Sequence, residues 1–125
     1  MIATNLLRVS VLIILVGMIM GMVMGAMQDF RLMPVHAHLN LLGFVALFLA
    51  GLYYQAVPQA AASTLATWHA WIAVIGAIAF PIGITMVLLG GPHFEAITIG
   101  TSVIAFTGML LFAVIVFRFG APQRV

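Results

Sequence analysis

Four long apolar stretches joined by short links constrain the fold of this chain more than any other feature. They run from about residue 6 to 27, 34 to 57, 64 to 89 and 92 to 119. Each supplies the roughly 20 apolar residues that a helix needs to cross a bilayer. The chain is 66% hydrophobic and 5% charged, too little polar surface for a water-soluble domain. We therefore predict an all-α integral membrane protein, a four-transmembrane-helix bundle forming a single domain over residues 1–125.

The arginines predict how this bundle is oriented. Arg8 precedes the first stretch, Arg118 and Arg124 end the fourth, and Arg31 alone lies in a link on the opposite side. Basic residues are enriched on the cytoplasmic side of membrane proteins, which predicts that both termini are cytoplasmic. We expect a multi-pass protein of the inner (plasma) membrane. So few basic residues do not indicate binding of nucleic acid.

Two histidines at the start of the second stretch are the strongest candidates for chemistry. His36 and His38 follow Pro34 closely. Residues two apart on an α-helix point about 200° apart, so the two imidazoles face different sides of the helix. A histidine inside a membrane span needs a partner to offset its desolvation, which makes both residues candidate metal ligands. Asn40 shares the helical face of His36 and is a candidate to orient its ring.

The other two histidines lie at different depths. His93 opens the fourth stretch on the same side as His38 and is a further candidate ligand. His69 lies near the opposite end of the bundle. Two axial nitrogens on one iron are only about 4 Å apart, whereas the hydrocarbon core is roughly 30 Å thick. His69 and His38 therefore cannot share an iron, and His69 is kept as a separate candidate. Each histidine could instead be an interfacial residue held by a carbonyl or water.

The donor set favours haem b among the metals and cofactors. Imidazoles in apolar surroundings, without a cage of carboxylates, suit haem iron better than calcium or magnesium. A zinc or copper site from His36, His38 and His93 is an alternative, but it requires unwinding of the helix start. The chain has no cysteine, which excludes thiolate metal sites and covalently attached haem. A proton relay is also conceivable, although Glu95 at the edge is the nearest carboxylate.

Glycines in the first stretch predict a close helix contact. Gly17, Gly21 and Gly25 form a twice-repeated small-xxx-small pattern, which lets another backbone approach closely in a bilayer. We expect glycine-rich faces of this kind to join copies of the chain in a homo-oligomer. Space for a flat cofactor is the alternative. Tyr53 and Tyr54, at the end of the second stretch, are expected in an aromatic belt at the membrane surface.

The stretch from Asp29 to Phe44, DFRLMPVHAHLNLLGF, resembles the haem-copper oxidase catalytic-subunit superfamily. More narrowly, it resembles small four-helix relatives of the large subunits of cbb3-type oxidase (subunit I) and nitric oxide reductase. The segment from Trp68 to Trp71 is similar to the third-helix signature of those small relatives. In the superfamily, twelve helices form three four-helix arcs, and one arc carries a His-x-His whose imidazoles ligate different haems. The resemblance implies that His36 and His38 ligate haem iron, and that one chain corresponds to one arc of a trimer or dimer.

The chain also departs from that superfamily. It has no adjacent His-His pair for a copper site, and neither the crosslinked tyrosine nor the channel carboxylates have a match. A stand-alone oxidase is therefore not predicted. The sequence favours a membrane b-type cytochrome that serves electron transfer or gas or redox sensing, with a redox partner. One alternative is a cofactor-free structural or assembly subunit of a respiratory membrane complex. Another is a small transporter or channel, although the first stretch has no charge between Arg8 and Asp29.

Overall fold

The four apolar stretches form four long helices in the computed structural model, which describes residues 1–120. The first helix is Ile2–Met27, the second Met33–Ala56, the third Thr64–Gly90 and the fourth Pro92–Phe119. The fourth begins with one 3₁₀ turn, and no β-strand occurs in the described part of the chain. All four helices are long and apolar enough to cross a membrane. The predicted all-α, four-helix architecture is confirmed, with an earlier start for the first helix.

The links between the helices are short and locally bonded. Between the first two helices, Arg31 forms an ion pair with Asp29, with a shortest nitrogen–oxygen distance of 2.6 Å. Between the second and third helices lies a one-turn helix, Pro58–Ala61, that the sequence did not predict. The third helix then begins at Ser63, whose hydroxyl accepts a hydrogen bond from the Ala66 N–H at 3.2 Å. Side-chain capping of this kind satisfies backbone donors that a helix start leaves unpaired.

Four spans bring the beginning and end of the described chain to the same end of the bundle. Arg8 and Arg118 lie at this end, which we call the terminal end, and Arg31 lies at the other. Arg124, which also entered the topology prediction, lies outside the described residues.

The second helix contains a π-helical segment, Leu41–Ala46, directly after the histidine pair. A π-helix bonds each residue to one five positions earlier, which widens the turn and rotates the side chains that follow. The two glycines of the second helix nevertheless stay against the first helix. Gly43 lies against Ile13, and Gly51 lies against Leu7. The sequence carried no signal for this segment.

The helices pack in chain order, and the third and fourth make the most extensive contact. At that contact the backbone of Gly76 lies close to Ala105, and the hydroxyl of Thr98 donates to the Gly83 carbonyl at 2.7 Å. The first helix packs mainly on the second, with a smaller contact to the third, and the second packs on the third. The first and fourth helices make no extensive contact with each other. The layout is therefore closer to an arc than to a closed bundle.

The best-packed core lies at the terminal end of the bundle. Leu6, Leu47, Tyr54 and Ile115 are each no more than 2% exposed there. Large apolar side chains cover much of the outside, as on a lipid-facing surface, and Phe117 is the most exposed of the phenylalanines. The end that carries His36 and His38 is more open.

Candidate functional site

His36 points from the second helix toward the first. Its Nδ1 lies 3.0 Å from the carbonyl oxygen of Gly17, and a carbonyl only accepts hydrogen bonds, so Nδ1 carries the proton. The Asn40 amide nitrogen lies 3.1 Å from Nε2 and 3.5 Å from Nδ1, which places it over the face of the ring and outside the plane of the Nε2 lone pair. Asn40 therefore covers one face of the imidazole, and the Nδ1 bond holds the ring against the first helix.

The glycine pattern of the first helix makes room for these two side chains. A Cβ at Gly17 would overlap the Asn40 Oδ1 atom, and a Cβ at Gly21 would lie 3.0 Å from the His36 Cε1. Nothing lies within 4 Å of the corresponding position at Gly25. Two of the three glycines thus pack within the chain. Of this pattern, Gly25 keeps open space for the contact between copies that we expected.

His38 points toward the third helix and keeps one nitrogen free. Its Nδ1 donates to the Pro34 carbonyl oxygen at 2.7 Å, which fixes the proton on Nδ1. The ring packs edge-on against Phe80, with centroids 5.0 Å apart. No hydrogen bond from residues 1–120 engages Nε2, which retains its lone pair. A histidine that ligates a metal typically donates its other N–H to a carbonyl in this way.

The divergence of the two rings follows the angle derived from the helix geometry. His36 contacts the first helix and His38 the third, although only Ala37 separates them. Their hydrogen bonds also differ, since His36 bonds to the first helix and is covered by Asn40, whereas His38 bonds within its own helix. The sequence predicted the directions but not this difference.

His69 is the most buried histidine, with 1% of its surface exposed. Its Nδ1 lies 2.9 Å from the Tyr54 hydroxyl, and its ring stacks on Phe112 with centroids 5.0 Å apart. The expectation that Tyr54 belongs to a surface belt is wrong, because this side chain is 2% exposed and faces the bundle interior. The sequence contained a signal for the contact between Tyr54 and His69. The second and third helices form an antiparallel hairpin, and these two residues lie within a few residues of the link on either side of it.

The space around His69 is too small for a porphyrin. The adjoining cavity measures about 20 Å³, close to the volume that one water molecule needs. Its other lining residues are apolar, among them Met109 and Phe112. Nearby, the Tyr53 hydroxyl is buried without a hydrogen-bond partner among the described residues. Within one chain, His69 therefore forms a hydrogen bond with Tyr54, and the space around it is too small for haem.

His93 is exposed and lies apart from the His36–His38 pair. It sits in the 3₁₀ turn Pro92–Phe94, where its ring packs on Phe94 with centroids 4.2 Å apart. His38 contacts the third helix at Phe80, about 15 Å along the helix from the end that precedes this turn. Within residues 1–120, no three His, Asp or Glu side chains are grouped closely enough to hold a metal. The three-histidine zinc or copper site is thus not formed in one chain.

The turn before the second helix carries the strongest charge interaction in the described chain. Three hydrogen bonds join the Arg31 guanidinium to the Asp29 carboxylate, at 2.6 to 3.0 Å. The side-chain hydrogen bonding from Arg31 lowers the pKa of Asp29 to about 2. The carboxylate is therefore charged at neutral pH and neutralises the cation nearest to the histidines.

Comparison with protein-family models, with curated proteins and with solved structures found no match for this chain. The function is therefore inferred from the site itself. The decisive contrast lies between His36, which bonds to the first helix and is covered by Asn40, and His38, whose Nε2 has no hydrogen-bond partner among residues 1–120.

Proposed function

We propose that this chain is a multi-pass protein of the plasma membrane that binds haem b through His38. The proposal is supported above all by the hydrogen bond from His38 Nδ1 to the Pro34 carbonyl, which holds the ring in one tautomer. Such a bond also raises the basicity of the opposite nitrogen, the atom that would face the iron. We further propose that both termini are cytoplasmic, as the arginine distribution favours.

His36 and Asn40 have a positioning role in this proposal. The His36 ring is enclosed between the first helix and Asn40, whose amide nitrogen lies 3.1 Å from Nε2. The Nδ1 bond to Gly17 anchors the start of the second helix on the first. These two residues hold the backbone from which His38 projects, and they do not touch the cofactor.

The surroundings of His38 fit haem better than a bare metal ion. The ring is half-buried, and no carboxylate or thiolate accompanies it. An exposed apolar strip on the second helix begins beside His38 at Ala37 and continues through Leu41, Val45 and Leu49, which are between 41% and 57% exposed. An apolar macrocycle beside this strip needs a cover from outside the chain. This favours a homo-oligomer, a dimer or a trimer, in which a partner's histidine or a gas would be a second ligand of the iron.

When bound, haem iron supplies one-electron exchange or coordination of a small gas. The chain contributes an oriented imidazole, an apolar surface that excludes water, and a rigid connection from His38 through Pro34 to the first turn of the helix. Electron transfer to a redox partner and gas or redox sensing are both compatible with these contributions.

An optical spectrum of the purified protein tests the proposal. Protein from haem-replete cells is expected to show a b-type α-band and Soret band in the reduced-minus-oxidised spectrum. We expect His38→Ala to lose these bands and the matched variants His36→Ala and His93→Ala to keep them per folded protein. A colourless wild type would overturn the proposal. So would a His38→Ala variant that keeps its bands while His36→Ala loses them.

A cofactor-free structural or assembly subunit of a respiratory complex is the second candidate. It is favoured by one observation, namely that His36 and His69 both engage their rings in bonds inside the chain. This function predicts that the wild type is colourless, that it co-purifies with a respiratory complex, and that His36→Ala and His38→Ala both preserve the association.

A further inference from the structure

A groove runs between the first and third helices, with Leu39 of the second helix in its deeper part, and His38 does not line it. Two adjoining cavities of about 450 and 280 Å³ form it, and both are lined by Val9. We call it the first–third groove. It extends along the first helix from Ile2 to Val16, a rise of about 21 Å at 1.5 Å per residue.

The two parts of the groove differ in chemistry. The part at the terminal end includes the polar side chains of Asn5, Arg8 and Thr67. The part deeper in the bundle is lined only by aliphatic side chains, including Leu12 and Ile78. A ligand that matched the whole groove would have a polar head at the terminal end and an apolar chain extending toward the middle of the bundle.

The charge of Arg8 indicates the sign of that head. The chain has only two acidic side chains, Asp29 and Glu95. Both lie at the end of the bundle opposite to Arg8, and Asp29 is already paired with Arg31. Within residues 1–120, the exposed Arg8 guanidinium therefore has no carboxylate within reach, which leaves it available to an anionic ligand.

We propose that the first–third groove is a binding site for an anionic phospholipid. The lipid phosphate accepts charge-assisted hydrogen bonds from Arg8, whose planar guanidinium suits phosphate oxygens. One acyl chain lies along the aliphatic part of the groove, past Leu12 and Val16. This site is independent of His38 and of haem, so either proposal can fail without the other.

Tryptophan fluorescence provides the test, because the two tryptophans differ in position. Trp71 lines the groove and Trp68 does not. The Trp68→Phe variant, in which Trp71 is the reporter, is reconstituted in phosphatidylcholine vesicles. The vesicles also contain a low mole fraction of a lipid that is brominated on its acyl chain, because bromine quenches nearby indoles. This brominated lipid is phosphatidylglycerol in one sample and phosphatidylcholine in the other. We expect the brominated anionic lipid to quench Trp71 about two- to fivefold more effectively, as an exposed ion pair would produce.

Matched variants separate a site from general surface charge. Arg8→Gln is expected to abolish the preference for phosphatidylglycerol, and Arg8→Lys to retain it. Arg118→Gln removes a cation at the same end of the bundle that does not line the groove, and should leave the preference intact. The Trp71→Phe variant, which reports from Trp68, should be quenched equally by both lipids.

Four results would overturn the proposal. The first is equal quenching of Trp71 by both lipids, and the second is a preference that survives in Arg8→Gln. The third is a preference that is lost equally in Arg118→Gln, which would indicate diffuse attraction to the surface. The fourth is weaker quenching of Trp71 than of Trp68 by either lipid, which would indicate that a protein segment fills the groove.

Discussion

The hydroxyl of Tyr54 lies 2.9 Å from Nδ1 of His69, joining the second and third helices inside the bundle. Both side chains are almost fully buried. A buried polar group is costly when it lacks a partner, so each of these residues depends on the other. The pair is the main polar connection in the well-packed terminal end.

Removal of the Tyr54 hydroxyl should therefore destabilise the protein. Tyr54→Phe leaves His69 Nδ1 buried and unpaired, and we expect a loss of about 1–3 kcal/mol in the free energy of unfolding. The control is Tyr53→Phe, which removes a neighbouring buried hydroxyl that has no partner in the described chain. That change should be neutral or stabilising. Unfolding by sodium dodecyl sulfate, followed by circular dichroism, measures both, and equal effects would contradict the interpretation.

The contact of Gly17 with Asn40 predicts an intolerant position on the first helix. Gly17→Ala places a Cβ on the Asn40 Oδ1 atom, and overpacking of this kind typically costs about 1–3 kcal/mol. Gly25→Ala is the matched control, because nothing lies within 4 Å of its added methyl group. The smaller side chain of Asn40→Ala should partly rescue Gly17→Ala in the double variant. Without rescue, the clash would have to lie elsewhere.

The contact between the third and fourth helices offers a similar comparison. A Cβ at Gly76 would lie 2.6 Å from the Ala105 Cα, a backbone atom that cannot move without shifting its helix. We expect Gly76→Ala to lower stability by about 1–3 kcal/mol. Gly100→Ala is the matched control, because nothing lies within 4 Å of the added methyl group, and we expect it to leave stability unchanged. Thermal unfolding in detergent compares the two, and a sensitive Gly100 would show that this face is covered in the assembled protein.

The ion pair in the first link predicts an unusual titration. The pKa of Asp29 is lowered from 3.8 to about 2, chiefly by hydrogen bonding from Arg31. Because the folded-state value is the lower one, the pair contributes fully above pH 3.8 and its contribution is lost as the pH falls through about 2. Carboxyl chemical shifts in detergent should show this midpoint, and Arg31→Gln should return it toward 3.8. An unchanged midpoint in the variant would rule out Arg31 as the cause.

Several features of the site could be predicted from local rules. The helix period places His36 and His38 on different sides, and the structure puts them against different helices. The placement of Asn40 one turn after His36 correctly indicated their contact. By contrast, only the neighbouring helices show that His36 bonds to the Gly17 carbonyl while His38 Nε2 has no partner among residues 1–120.

The inward orientation of Tyr54 and the π-helical segment Leu41–Ala46 were not predictable in the same way. A soluble helix reveals its buried face by an alternation of apolar and polar residues. Here lipid and protein interior are about equally apolar, so the pattern that would show which side faces inward is absent. The first–third groove could not be predicted for the same reason, because most of its lining residues are apolar residues that any membrane helix contains.

The sequence by itself determined that the chain forms four long helices, because an apolar medium requires every backbone polar group to be bonded within its own segment. It also determined where the histidines lie along those helices. The tertiary structure alone decided which glycines accommodate a side chain, which histidine bonds to a neighbouring helix and where Arg8 meets an apolar groove. These three features depend on how neighbouring helices are rotated and spaced. In a uniformly apolar chain, the order of the residues does not indicate that rotation and spacing.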